Sequence, residues 1–211
     1  MKPILFNTKM VQAILNGQKT VTRRVVKYPY FVDTHSIPMP MRSAPKGSYV
    51  YQQIGEMPYP EYIYDEGDVL WIRETWLKAD DGYHYKTDID LPSESEDIRK
   101  KYGYKWRPSI HMPKEAARIF LRVTDIRVEQ LQKMYVDDAI AEGAWGGGLP
   151  TLPFSLLEQK YPTASCIAIA SFAHLWDSTI PKKDLDTYGW SVNPWVWVIE
   201  FEKVSNPERQ I

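Results

Sequence analysis

The chain has 211 residues, 44% hydrophobic and 13% aromatic, enough to bury one full core and too apolar for a largely disordered chain. Its 26 Lys and Arg against 27 Asp and Glu leave a formal charge of −1, which excludes a global pull toward nucleic acid or membrane and confines any such contact to a local patch. The single cysteine, Cys166, excludes an internal disulfide and a cysteine-rich zinc centre.

"PILF" (3–6) reads as a short strand, and "KMVQAILNG" as a helix with Val11, Ile14 and Leu15 on one face and Gly17 at its C-terminal cap. The apolar run that opens the chain is too short for a signal-peptide core, and no later segment reaches the length of a membrane span. The expectation is therefore a soluble, cytoplasmic protein. "KTVTRRVV" has the β-branched content of a strand. Residues 28–65 are rich in proline and tyrosine with little periodicity, which suits an ordered loop insertion. "GDVLWIRETW" (67–76) reads as a turn and a strand, and the charged stretch 92–105 has room for a short helix.

"RIFLRVTDIRVEQL" (118–131) alternates, with Ile119, Leu121 and Val123 pointing one way and Arg118, Phe120 and Arg122 the other. "VDDAIAEG" (136–143) is a short helix stopped by Gly143, "GGG" (146–148) a hinge or lid, "IAIASFAHLWDSTI" (167–180) a helix, and "NPWVWVIEFEKV" (193–204) an apolar strand. Strands spread from end to end with short helices between them predict an α+β fold, a mixed β-barrel with peripheral helices.

Two places carry candidate chemistry. In "NGQKTVTRRV", Lys19 and Thr22 lie on opposite faces of a regular strand, so they converge only if the chain bends after Gly17. With that bend, Thr20, Thr22 and Arg24 share one strand face. A lysine deprived of water can take the proton of a threonine hydroxyl, although a basic strand end in solvent has the same sequence. Glu142, before the capping Gly143, sits where the helix dipole disfavours a carboxylate by about 0.3–1 kcal/mol, and it could face the Lys19/Thr22 turn as a proton carrier or simply lie in solvent.

The combination of "ILNGQKTVTRR", "GDVLWIRE", "DAIAEGA" and the last strand "PWVWVIEFE", in this order, resembles the ASCH domain, a PUA-like β-barrel. The resemblance covers about half the chain directly, and the whole chain is similar to the longer members found in phage and prophage sequences. It implies a single domain over 1–211 with insertions at about 27–65, 78–115 and 147–192. Some small members are amidohydrolases that remove the acyl group from N4-acetylcytidine with a lysine, a threonine and a glutamate, which by motif fall on Lys19, Thr22 and Glu142. No cofactor is implied. Thr20, Arg24, Glu74 and the aromatic Trp71, Trp76 and Tyr85 are the candidates for holding the nucleoside.

Other members of the family are RNA-binding modules or RNA-acting enzymes; the alternative is therefore an RNA-binding or RNA-processing module without amidase activity, and binding would use Arg23, Arg24, Arg73, Arg118 and Arg122 against phosphates. His35, His84, His111 and His174 have no metal-binding spacing, so no metal site is expected. His174 and Cys166 read as packing residues. Arg107, Ser109 and His111 alternate and suit either one cleft or a hydrogen-bonded loop.

Overall fold

The computed structural model describes residues 1–26, 39–40, 49–50, 64–88, 103, 105–144 and 153–209. The expectations for most of 28–65, for the helix within 92–105 and for "GGG" fall outside these residues, as does His35. What is described is a mixed α+β fold around a five-stranded sheet.

The sheet takes its strands in the order β1 (Lys2–Leu5), β5 (Val69–Arg73), β8 (Phe120–Gln130), β9 (Trp195–Val204) and β2 (Val21–Val25). Only the β1–β5 pair is parallel. Two two-stranded sheets accompany it, β3 (Met39–Pro40) with β4 (Tyr49–Val50), and β6 (Trp76–Ala79) with β7 (Gly82–Tyr85). The first pair lies inside the stretch expected to be loop. Among the described residues β1 and β2 are the free edges, so backbone hydrogen bonds do not close the sheet into the expected barrel.

Both faces of this sheet are buried, which explains why β9 is apolar at successive positions rather than at alternate ones. Trp197, Ile199 and Phe201 enter one core with Ile4, Leu70, Ile72, Leu121 and Val123. Helix α1 (Thr8–Leu15) adds Val11 and Ile14 to that core, each worth about 1.5–3 kcal/mol when fully withdrawn from water. Leu15, expected on the same face, is exposed because the helix turns its last residue outward. Val196 and Val198 point to the second core, built largely by α4 (Ile167–Thr179) with α2 (Val136–Ala141) and α3 (Phe154–Lys160). A short α5 (Leu185–Tyr188) follows α4.

Strand β8 changes sides. Up to Val123 its odd residues face the first core, but the register against β9 slips between Val123 and Asp125, and from there Ile126 and Val128 face it. A one-residue bulge reverses the parity of everything after it. Asp125, Arg127 and Glu129 are thereby turned to the second face, where Arg127 pairs with Asp125, Glu129 and Glu200.

No described helix is long and apolar enough to cross a membrane.

Candidate functional site

The bend expected after Gly17 is built by a helix cap. Asn16 ends α1, Gly17 takes φ 72°, and the amides of Gly17 and Gln18 donate to Ile14 O and Ala13 O at 3.1 and 2.8 Å. This pattern needs a residue that tolerates the left-handed region, hence glycine. The Lys19 amide donates to Ala13 O at 3.1 Å, which turns the Lys19 side chain inward instead of along the strand.

A second glycine holds the other half. Glu142 is the C-cap of α2, and Gly143 has φ 78°. Lys19 and Glu142 form an isolated antiparallel bridge, and the Thr20 amide donates to Ala141 O at 2.9 Å. A Cβ on Gly143 would lie 3.1 Å from Ala13 Cβ and 3.4 Å from Lys19 Cβ. Gly143→Ala is therefore expected to cost about 1–2 kcal/mol in urea unfolding, from φ alone, and more if Ala13 cannot give way. A loss below about 0.5 kcal/mol would show that this junction is not tightly packed.

The Lys19 side chain has no solvent exposure, and that of Glu142 is 4% exposed. Lys19 Nζ donates to Glu142 Oε2 at 2.6 Å, Val21 O at 2.7 Å and Glu142 O at 2.9 Å. All three protons of the ammonium are engaged. Burial drives the Lys19 pKa below its ordinary value; Glu142 opposes the shift, and Arg24 and Arg23 add to it. The Phe6 ring lies under both cations, 5.8 Å from Lys19 Nζ and 5.2 Å from the Arg24 guanidinium carbon.

Thr22 is buried in β2 opposite Ile199, on the face of the first core, and Arg24 pairs with Trp197 on the same face. Val21 O, the acceptor of Lys19, belongs to the peptide bonded to Thr22, so Nζ sits one peptide from the residue it would activate. Thr20 carries an exposed side chain while its carbonyl accepts from the Phe201 amide at 2.9 Å. Arg24 Nη2 donates to Leu5 O at 2.7 Å, which joins the two free edges of the sheet by a side chain.

The remaining candidates each have partners of their own. Trp71 alternates with Leu70 and Ile72, so it faces away from the first core and from Thr22, and Arg73 stacks on it at 4.8 Å. Glu74 is buried in a cluster of its own. Arg118 donates to both of its carboxylate oxygens at 2.9 and 3.1 Å, Thr87 Oγ1 donates at 2.5 Å, and Tyr85 lies 3.9 Å under the Arg118 guanidinium. Trp76 is buried in a small apolar cluster with Met112 and Ala116, with its backbone bridged to Arg107. Glu74 and Trp76 stand at the β5–β6 turn.

The comparisons add nothing to this geometry. No family model, no curated protein and no solved structure matches the chain.

The arginines proposed for phosphate contacts already have partners. Arg23 is buried against Glu142, Arg73 donates to Ile110 O, Arg118 holds Glu74 and Asp88, and Arg122 faces Glu202 at 3.6 Å. His84 contacts Asp81, Ser109 and His111 lie on a short 3-10 turn, His174 contacts Tyr161, and Cys166 is the N-cap of α4. Among the described residues no group of His, Cys, Asp and Glu could hold a metal ion. Arg23 is the residue that sequence reasoning underrated at this site, although an arginine between Val21 and Val25 on an alternating strand was a visible anomaly.

Proposed function

We propose that this chain is an amidohydrolase that removes the acyl group from N4-acylated cytidine or cytosine, with Thr22 as nucleophile, Lys19 as its base and Glu142 as acid and then base. The observation that carries the reading is the fully buried Lys19, its pKa pushed down, held by Glu142 and by the carbonyl next to Thr22. A surface lysine with a structural role would keep its charge in water. The choice of an N4-acyl cytosine rests on the resemblance to the ASCH family. The PUA-like barrel belongs to the same proposal, supported by one core lined from all five strands' neighbourhoods and by Arg24 spanning the open edges.

The cycle begins when the Lys19 ammonium hands one proton to Glu142 Oε2 across their 2.6 Å contact and Glu142 turns it toward the substrate, leaving Nζ neutral. Neutral Nζ keeps two N–H groups for Val21 O and Glu142 O. Its lone pair takes the Thr22 hydroxyl proton as Oγ1 attacks the acyl carbonyl. The tetrahedral oxyanion forms beside Arg24, which can stabilise it. The C–N4 bond breaks as Glu142 gives its proton to N4, leaving acyl-Thr22, cationic Lys19 and anionic Glu142. Water then loses a proton to Glu142 and attacks the ester, and Lys19 returns its proton to Oγ1 as the acid leaves. Thr20 and Arg24 are the side chains assigned to meet the substrate in this proposal. Absorbance-followed hydrolysis of N4-acetylcytidine by the purified chain tests the reading; no turnover by folded protein across several N4-acyl cytosines would end it.

A further inference from the structure

Arg23 occupies a place that strand alternation gives to an apolar residue. Val21 and Val25 share its face, Val198 is its partner on β9, and its guanidinium carbon lies 5.9 Å from the Phe172 ring of α4. Its side chain is 1% exposed. Three carboxylates surround it: Glu142 and Asp138 on or beside α2, and Glu129 on β8, the last also held by Arg127. Only one is within hydrogen-bond distance. Nη1 donates to Glu142 Oε1 at 3.3 Å, whereas Nη2 stands 3.6 Å from Asp138 and 3.9 Å from Glu129. Nε and Nη2 are buried without a hydrogen-bond partner.

An arginine that merely tied α2 to the sheet would do better with a bidentate grip on Asp138 or Glu129, which are partly exposed. Instead it leaves two donors unsatisfied and makes its one hydrogen bond to the carboxylate that touches Lys19. We propose that Arg23 is a positioning residue of the Lys19–Glu142 pair: it fixes Glu142 by Oε1 so that Oε2 meets Nζ, and its permanent charge sets the proton balance of that pair. This rests on the reading of Lys19 as a base. The charged groups acting on Lys19 are Glu142 from the end of α2 and Arg23 and Arg24 from β2, with the neutral Phe6 ring from the β1–α1 connection.

The sign follows from charge. With Arg23 replaced by a neutral residue, Lys19 loses a like-charge neighbour and keeps Glu142 to itself, so it holds its proton to higher pH. Arg23→Met suits the surrounding apolar side chains and leaves Glu142 paired with Lys19; Arg23→Gln serves the same comparison if Met does not fold. Arg23→Lys keeps the charge and loses the planar grip.

The test is the NMR titration of Lys19 in protein labelled at lysine Cε, its signal assigned by Lys19→Met, together with the pH profile of kcat/KM. The Lys19 midpoint is expected to rise by about one pH unit in Arg23→Met or Arg23→Gln. In Arg23→Lys it should stay within roughly half a unit of wild type. The low-pH limb of kcat/KM moves with the midpoint. An unchanged midpoint in a folded neutral variant would overturn the proposal. Because the titration needs no substrate, it reads Arg23 even if N4-acyl cytosines are not turned over.

Discussion

Thr22→Ala and Lys19→Met are each expected to lower kcat for N4-acetylcytidine hydrolysis by at least roughly 10³-fold, since members of one catalytic unit fail together rather than additively. The reasons differ. Thr22→Ala deletes the attacking oxygen and little else, because the side chain is small and buried opposite Ile199; the cost in stability is about 1 kcal/mol. Lys19→Met keeps the length of the stem packed on Gly143 and Phe6 and removes the base. It also strips a donor from Val21 O and from Glu142, so unfolding shifts to lower urea while Arg23 still holds Glu142 Oε1. Circular dichroism and cooperative unfolding separate lost chemistry from lost fold. Full activity in folded Thr22→Ala would remove the nucleophile from the account.

Glu142→Gln is the second large effect, and its pH dependence is specific. The folded chain holds Lys19 below 10.5, chiefly through burial, against the pull of Glu142. Between the folded value and 10.5 the unfolded chain therefore carries a proton that the folded chain lacks, so the Lys19 contribution to stability rises with pH across that window. Removing the Glu142 charge pushes the folded value further down and widens the window. The variant should lose about 3 kcal/mol near pH 7, and the deficit should shrink as pH approaches 10.5. Urea unfolding of wild type and variant near pH 7 and near pH 9.5 checks this. An equal deficit at both would mean that Lys19 is not the group left exposed to the loss.

Much of this arrangement was legible in residue types. Glycines at 17 and 143 marked where helices end and the chain turns back, and those turns bring Lys19 to Glu142 across 123 positions. The alternation of Thr22 and Arg24 placed them on one face, as β2 does through its pairing with Ile199 and Trp197. What stayed hidden has physical causes. The bulge after Val123 leaves no mark on composition, yet it decides that Glu129 and Arg127 share a face with Arg23. Trp71 and Glu74 lie within a resembling motif and Trp76 and Tyr85 follow it, but the motif does not announce their contacts with Arg73, Arg118 and a local apolar cluster. The β6–β7 hairpin went unread because it carries its aromatic residues on a strand too short for periodicity to register. Arg23 read as a surface cation because its three carboxylates come from α2, its C-cap and β8, more than a hundred residues away.

The most direct test of a threonine nucleophile is intact-protein and peptide mass spectrometry after rapid acid quench during turnover of N4-acetylcytidine. An acetyl group is expected on the peptide containing Thr22, located on that residue and absent from Thr22→Ala. Turnover by wild type with no acylated Thr22 under any quench, in a chain whose Thr22→Ala variant remains active, would contradict it.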